Sequence, residues 1–181
     1  IINKSGDRED KIISQVKSQV EKLLKTQDWL HEWAFKLDSG VSERDCVLAT
    51  GLENGPMVTL VTWNAGCVGK IHDHLTWGVL GVISGEERCL SYKCVDREGD
   101  KFKECVLDKE DVLSSGDIFG MSSSIIHKMV NIANHNEISV SIHVYGKDLR
   151  YVDRSVFDIK TKRCLPNPNL EFVDLTVKKY S

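Results

Sequence analysis

From Gly40 onward the chain is a succession of short apolar runs, each closed by a turn, with no helical stretch between them. The runs are Cys46 to Thr50, Met57 to Trp63, Thr76 to Ser84, Arg88 to Asp96, Lys101 to Leu107, Ile125 to Ile132, Ile138 to Tyr145 and Tyr151 to Phe157. Turn residues separate them at Glu53-Asn54-Gly55, Ser84-Gly85-Glu86, Arg97-Glu98-Gly99-Asp100, Ser115-Gly116-Asp117 and Asn134-His135-Asn136. Strands of this length and spacing, with no helices between them, predict a sandwich or barrel.

The first forty residues follow a different rule. Ile12, Ile13, Val16, Val20, Leu23 and Leu24 recur at helical spacing between Asp7 and Lys25, with acids at the start and a lysine at the end to suit the helix dipole. A second helix is expected from Asp28 to about Leu37, with Trp29 and Trp33 packing on the body and Asp38-Ser39-Gly40 as the stop. The expected organisation is a helical extension over residues 1–40, packed on a barrel domain over residues 41–181.

Length and charge narrow the classes of function. A chain of 181 residues suffices for one well-buried core. A formal net charge of -3 with mixed signs offers no basic stripe for nucleic acid and no polybasic surface for membranes. No apolar run approaches the ~20 residues of a spanning helix. The sequence starts at Ile1, which leaves a removed targeting segment open. Six cysteines are scattered without a CxxC pair, which argues against structural zinc and suggests reduced thiols in the cytoplasm.

The chemistry concentrates in four of the six histidines. Side chains two apart on a strand share a face, so His72 and His74 can address one centre. Ser141, His143 and Tyr145 share a face by the same rule and form a hydroxyl, imidazole and phenol row. His127 is a third candidate ligand. For the His72/His74 pair the competing reading is a surface strand, and for His127 a hydrogen-bonded core histidine. His31 and His135 are expected to be solvated. Three neutral imidazoles leave a divalent ion its full charge, whereas the usual iron oxygenase set includes a carboxylate. That leaves room for an anionic ligand such as a thiolate.

The order Gly69, His72, His74, then Gly85-Glu86, then Gly116-Asp117, then His127 is that of a cupin jelly roll (a double-stranded β-helix). Many cupins add a glutamate ligand soon after the second histidine. Here Gly78, Val79 and Leu80 occupy that stretch, and Glu86 falls in a turn. The segments Thr62-Trp63-Asn64, Ile71 to Gly78 and Ser141-Ile142-His143-Val144-Tyr145-Gly146 resemble the thiol dioxygenases, the cysteine and 3-mercaptopropionate dioxygenase group of cupins, over roughly residues 42 to 157. The resemblance implies an Fe(2+) site held by His72, His74 and His127, with Ser141, His143 and Tyr145 as an outer relay. It implies a small thiol and O2 as reactants, both oxygen atoms passing to sulfur to give a sulfinic acid.

The animal enzymes of that group carry a crosslinking cysteine where this chain has Val79, and a Ser-Pro turn where it has Gly146-Lys147, so the resemblance is to the bacterial type. For the carboxylate of a thiol acid, the family offers an early-strand arginine, here only Arg44, or one past the relay histidine, here Arg154 with Arg150 as neighbour. A guanidinium fork suits a carboxylate. An ion pair with Asp148 or Asp153 is the competing reading for either of the later two. Trp77 and Met121 are expected to wall the pocket. A metal-binding cupin without redox activity (a ligand-sensing module), or a metal-dependent lyase or isomerase, remains the alternative, because one fold hosts many chemistries.

Overall fold

The structure, a computed structural model, describes residues 4–96, 98–134, 137–167 and 172–174. Arg97, His135 and Asn136 of the expected turns lie outside the described residues. One helix, α1 (Lys4–Lys25), precedes the strands β1 (Glu43–Thr50), β2 (Met57–Trp63), β3 (His72–Asp73), β4 (Gly78–Ser84), β5 (Glu86–Val95) and β6 (Glu104–Ser114). There follow β7 (Ile118–Met121), β8 (Ile126–Asn131), β9 (Ser139–Tyr145), β10 (Ser155–Asp158), β11 (Arg163–Pro166) and β12 (Val173–Asp174). They form two six-stranded sheets, ordered β12-β1-β2-β9-β4-β7 and β11-β10-β3-β8-β5-β6. Every pairing is antiparallel except that of β12 with β1. Strands distant in sequence lie side by side, as in a cupin-type jelly roll.

Alternation along β2 and β9 divides the buried residues into two layers. Met57, Val61, Trp63 and Tyr145 belong to a cluster between the sheets, while Leu60, Val140 and Ile142 point the other way, under the helix. The apolar stripe of α1 covers that outer face through Ile13, Val16, Val20 and Leu24. Two glycines permit the close approach. A Cβ at Gly81 would lie 2.6 Å from Val20 Cγ1, and one at Gly120 would lie 2.6 Å from Ile13 Cγ2.

Several sequence expectations are corrected. The second helix from Asp28 to Leu37 is only a 3-10 turn, Glu32–Phe35. The Trp29 indole N–H donates to the Leu23 carbonyl (3.2 Å), occupying an acceptor at the open end of α1 and turning the chain back. His72 and His74 do not share a strand: β3 ends at Asp73, and Leu75 takes a left-handed φ of 51°. The strand expected over Lys101 to Leu107 runs instead from Glu104 to Ser114, and the run from Tyr151 becomes a strand only at Ser155. β7, β11 and β12 are too short to register as apolar runs. The expectation that all thiols are reduced also fails: Cys94 and Cys105 face each other across β5 and β6, 3.9 Å apart at Cα, and are joined as a disulfide. Among the described residues no helix is long and apolar enough to cross a membrane.

Candidate metal centre

The second sheet supplies two of the three histidines at one level. His72 on β3 lies opposite His127 on β8 in the antiparallel register, and His74 comes from the turn that follows β3. The three ring centroids are 4.7–4.9 Å apart, and the candidate ligand atoms all lie within 4.8 Å of one another. His72 Nε2 and His74 Nε2 are 2.9 Å apart. An ion with metal–nitrogen bonds of about 2.1 Å holds neighbouring nitrogens roughly 3 Å apart, so the spacing suits a shared ion.

The outer ring nitrogens fix two of the rings. His72 Nδ1 lies 2.9 Å from the Lys70 carbonyl and so donates to it, which leaves Nε2 as the lone pair. His127 Nδ1 lies 3.4 Å from Cys89 Sγ. His127 Nε2 is buried with no hydrogen-bond partner among the described residues, the condition expected of an atom that awaits a ligand. His74 Nδ1 also lacks a partner. Burial keeps all three imidazoles neutral: it lowers His72 to about 4, and His74 and His127 well below their usual range. Neutral imidazole is the form that binds metal. Together these residues form a three-imidazole cluster able to hold a metal ion.

The facing sheet supplies the row on β9. Ser141 Oγ is 2.9 Å from His143 Nε2, and His143 Nδ1 is 2.9 Å from the Tyr145 hydroxyl. The Tyr145 ring lies edge-on to His74 at 4.8 Å between centroids, so the end of the row touches the cluster. Burial lowers His143 to about 3 and raises the Tyr145 phenol, so both are neutral at pH 7. The residue opposite Tyr145 is Gly78, where a Cβ would lie 3.3 Å from the phenol ring; Val79 turns outward into the layer under α1. Neither residue carries sulfur.

His72, His74, His127, His143, Tyr145 and Arg154 line one cavity of about 400 Å³. Arg154 is 3% exposed, and among the described residues its Nε and Nη2 have no hydrogen-bond partner. Burial lowers its pKa, opposed by Tyr145, Asp45 and Asp73. The structure does not bring the other two arginines to the cavity. Arg150 Nε and Nη2 are bound to the Asp148 carboxylate. Arg44 Nη2 donates to the Trp33 carbonyl (2.6 Å), with its guanidinium 4.8 Å from the Trp33 ring. Trp77 packs on Gly146, and Met121 is a core residue against Gly78; neither lines the cavity.

Two acids escaped sequence reading. Asp45 lines the cavity, its carboxyl pushed up to about 7 by burial and then by Glu43, with Arg154 opposing. Glu87 is 1% exposed on β5. Strand alternation held the signal for both: Asp45 shares a face with buried Val47, and Glu87 with buried Cys89. Asp73, by contrast, holds the frame, its Oδ1 accepting from the Ser155 amide at 2.7 Å.

No family model matches the chain. Among solved structures it is similar to KdgF from Halomonas sp., with 19% identity and a TM-score of 0.44 over 62% of this chain and 86% of that one. It is similar to the DMSP lyase DddQ from Ruegeria pomeroyi DSS-3, with 15% identity and a TM-score of 0.46 over 69% of this chain. The chain spans only 57% of that lyase's length. A cupin superfamily protein from Desulfitobacterium hafniense DCB-2 aligns at 11% identity and a TM-score of 0.45, over 62% of this chain and 84% of that one. The class is defined by the strand order and the cluster themselves: a cupin-type β-barrel with a three-imidazole centre in its cavity.

Proposed function

We propose that the chain is a non-haem Fe(2+) thiol dioxygenase that converts a small thiol acid and O2 into a sulfinic acid. His72, His74 and His127 would hold the ion through Nε2. When bound, ferrous iron supplies open positions where a thiolate and O2 can meet, together with the electrons that make their reaction spin-allowed. The observation that carries this reading is the meeting in one cavity of three imidazoles, a phenol held by a neutral relay, and a buried guanidinium whose Nε and Nη2 have no partner among the described residues.

Each of these groups has work to do in such a reaction. The carboxylate-free histidine set adds no negative charge, so an anionic sulfur ligand restores the balance. Arg154 offers a fork to the substrate carboxylate, and its burial strengthens the contact while restricting the poses of the thiol. Tyr145, whose hydroxyl is held by His143 and whose ring lies against His74, lines the cavity and can hydrogen-bond to an oxygen or to the polar end of the substrate. Val61, Trp63, Met129 and Leu149 add an apolar side to the cavity, beside the polar side chains of Asp45, Thr59 and Asn167.

The test is to load the purified chain with ferrous iron and measure oxygen uptake and sulfinate formation over 3-mercaptopropionate, cysteine and cysteamine. Uptake matched by sulfinate with the thiol acids supports the reading. Metal retention without oxygen uptake on any thiol would favour the lyase, isomerase or sensor alternative.

A further inference from the structure

Glu87 belongs to no role described so far. It sits on the inner face of β5, two residues before Cys89, and among the described residues neither carboxylate oxygen has a formed hydrogen bond. The chain enters β5 against β9, since a Cβ at Gly85 would lie 2.9 Å from Ser139 Cβ; the hydroxyls of Ser141 and Ser139 share the buried inner face with Glu87, and both favour its anion. Ser139 Oγ is itself buried without a partner. Ser141 is the near end of the row that continues to His143 and Tyr145, with 2.9 Å at each step.

We propose that Glu87 is a positioning residue, the fourth member of a chain Glu87–Ser141–His143–Tyr145, whose protonation state sets the direction of every hydrogen bond along it. This extends the role given to Tyr145 above and rests on that reading for its consequence, though not for its test. With Glu87 protonated, its O–H donates to Ser141, Ser141 donates to His143 Nε2, His143 Nδ1–H donates to Tyr145, and the Tyr145 proton faces the cavity. With Glu87 ionised, Ser141 donates to the carboxylate, His143 Nε2–H donates to Ser141, and Tyr145 donates to His143 Nδ1. The cavity then meets only the lone pairs of the phenol. Ser141, His143 and Tyr145 each carry one proton in both states, so the one proton lost is that of Glu87.

The surroundings leave that choice to Glu87. Among the described residues no cation is among the groups that act on it. From β8, Asn131 lies opposite in register, but its Nδ2 is committed to the Trp63, Asn64 and Glu137 carbonyls and its Oδ1 to the Ala133 amide. From β6, Leu113 lies opposite. Cys89 on the same strand is a neutral thiol, raised to about 12 by burial. His143 stays neutral, so only its tautomer can change. Burial raises the Glu87 carboxyl to about 7, which places its titration near neutrality.

The experiment is nitrogen NMR of the full chain labelled at histidine, metal-free and with one equivalent of zinc(II), read on either side of pH 7. In wild-type protein the His143 proton is expected on Nδ1 at the acid side and on Nε2 at the alkaline side. Glu87→Gln, which keeps the shape but cannot ionise, should hold one tautomer throughout. Ser141→Ala, which breaks the chain while leaving Glu87 in place, should also abolish the switch. One unchanging tautomer in wild-type protein, or a switch that survives Glu87→Gln, would overturn the proposal. Neither outcome depends on whether the chain oxidises thiols.

Discussion

Arg154 is the residue at which substrate choice can be read most sharply. Losing one charge-assisted bidentate contact costs about 1.5–3 kcal/mol, which is roughly 10- to 150-fold in kcat/KM. Arg154→Ala should therefore penalise 3-mercaptopropionate by that factor and leave cysteamine nearly unchanged. Equal losses on both thiols would make Arg154 structural. Arg150→Ala is the control, because Arg150 is bound to Asp148 and lies outside the cavity. Tyr145→Phe should retain the metal and lose much of the rate, measured as metal content beside kcat, since the hydroxyl touches the cavity and not the ligand nitrogens. At this scale much of the site was legible: His72, His74, His127 and Arg154 were all named from the sequence and meet in one cavity. Asp45 and Glu87 were not. A lone acid in a strand looks like a solvated residue until the register shows which face is covered.

Among the elements, β3 illustrates what a strand pattern cannot convey. His72 and His74 meet because the chain leaves the sheet after Asp73, with Leu75 left-handed and Asp73 pinned to the Ser155 amide. Alternation alone would have put both histidines on a longer strand. Helix α1 is the opposite case, since its stripe was plain from spacing, and only the two glycines it rests on needed coordinates. Gly81→Ala should overpack against Val20 and cost about 1–3 kcal/mol in chemical unfolding, with metal content per folded molecule unchanged. A loss of metal in the same variant would mean that the helix is coupled to the site. Trp29 and Trp33 fit helical spacing, yet only the 3-10 turn Glu32–Phe35 forms there, and Trp29 folds back on the end of α1 through its indole N–H.

Over the whole molecule, the barrel buries acids as well as histidines, and stability should record it. Glu87 has its pKa raised from 4.5 to about 7 by folding, so the folded state holds a proton that the unfolded state has lost between those values. Its contribution is fully present below pH 4.5 and is lost as pH rises to about 7, at a cost of about 3 kcal/mol at most. Glu87→Gln should remove that slope, so its stability relative to wild type, from urea melts at pH 5 and pH 8, should be more favourable at the higher pH. An unchanged difference would place the titration elsewhere. The turn-punctuated strands pointed to a sandwich or barrel and the order of glycines and histidines to the jelly roll, but neither pointed to the closure of Cys94 on Cys105, because a cross-strand pair depends on a register that spacing alone leaves free. The most direct test of the proposed chemistry is turnover of the iron-loaded chain with 3-mercaptopropionate under 18O2. The expected product is a sulfinate carrying two labelled oxygen atoms, with one O2 consumed per molecule formed. A product with one labelled atom or none, or oxygen uptake that yields only disulfide, would contradict a dioxygenase.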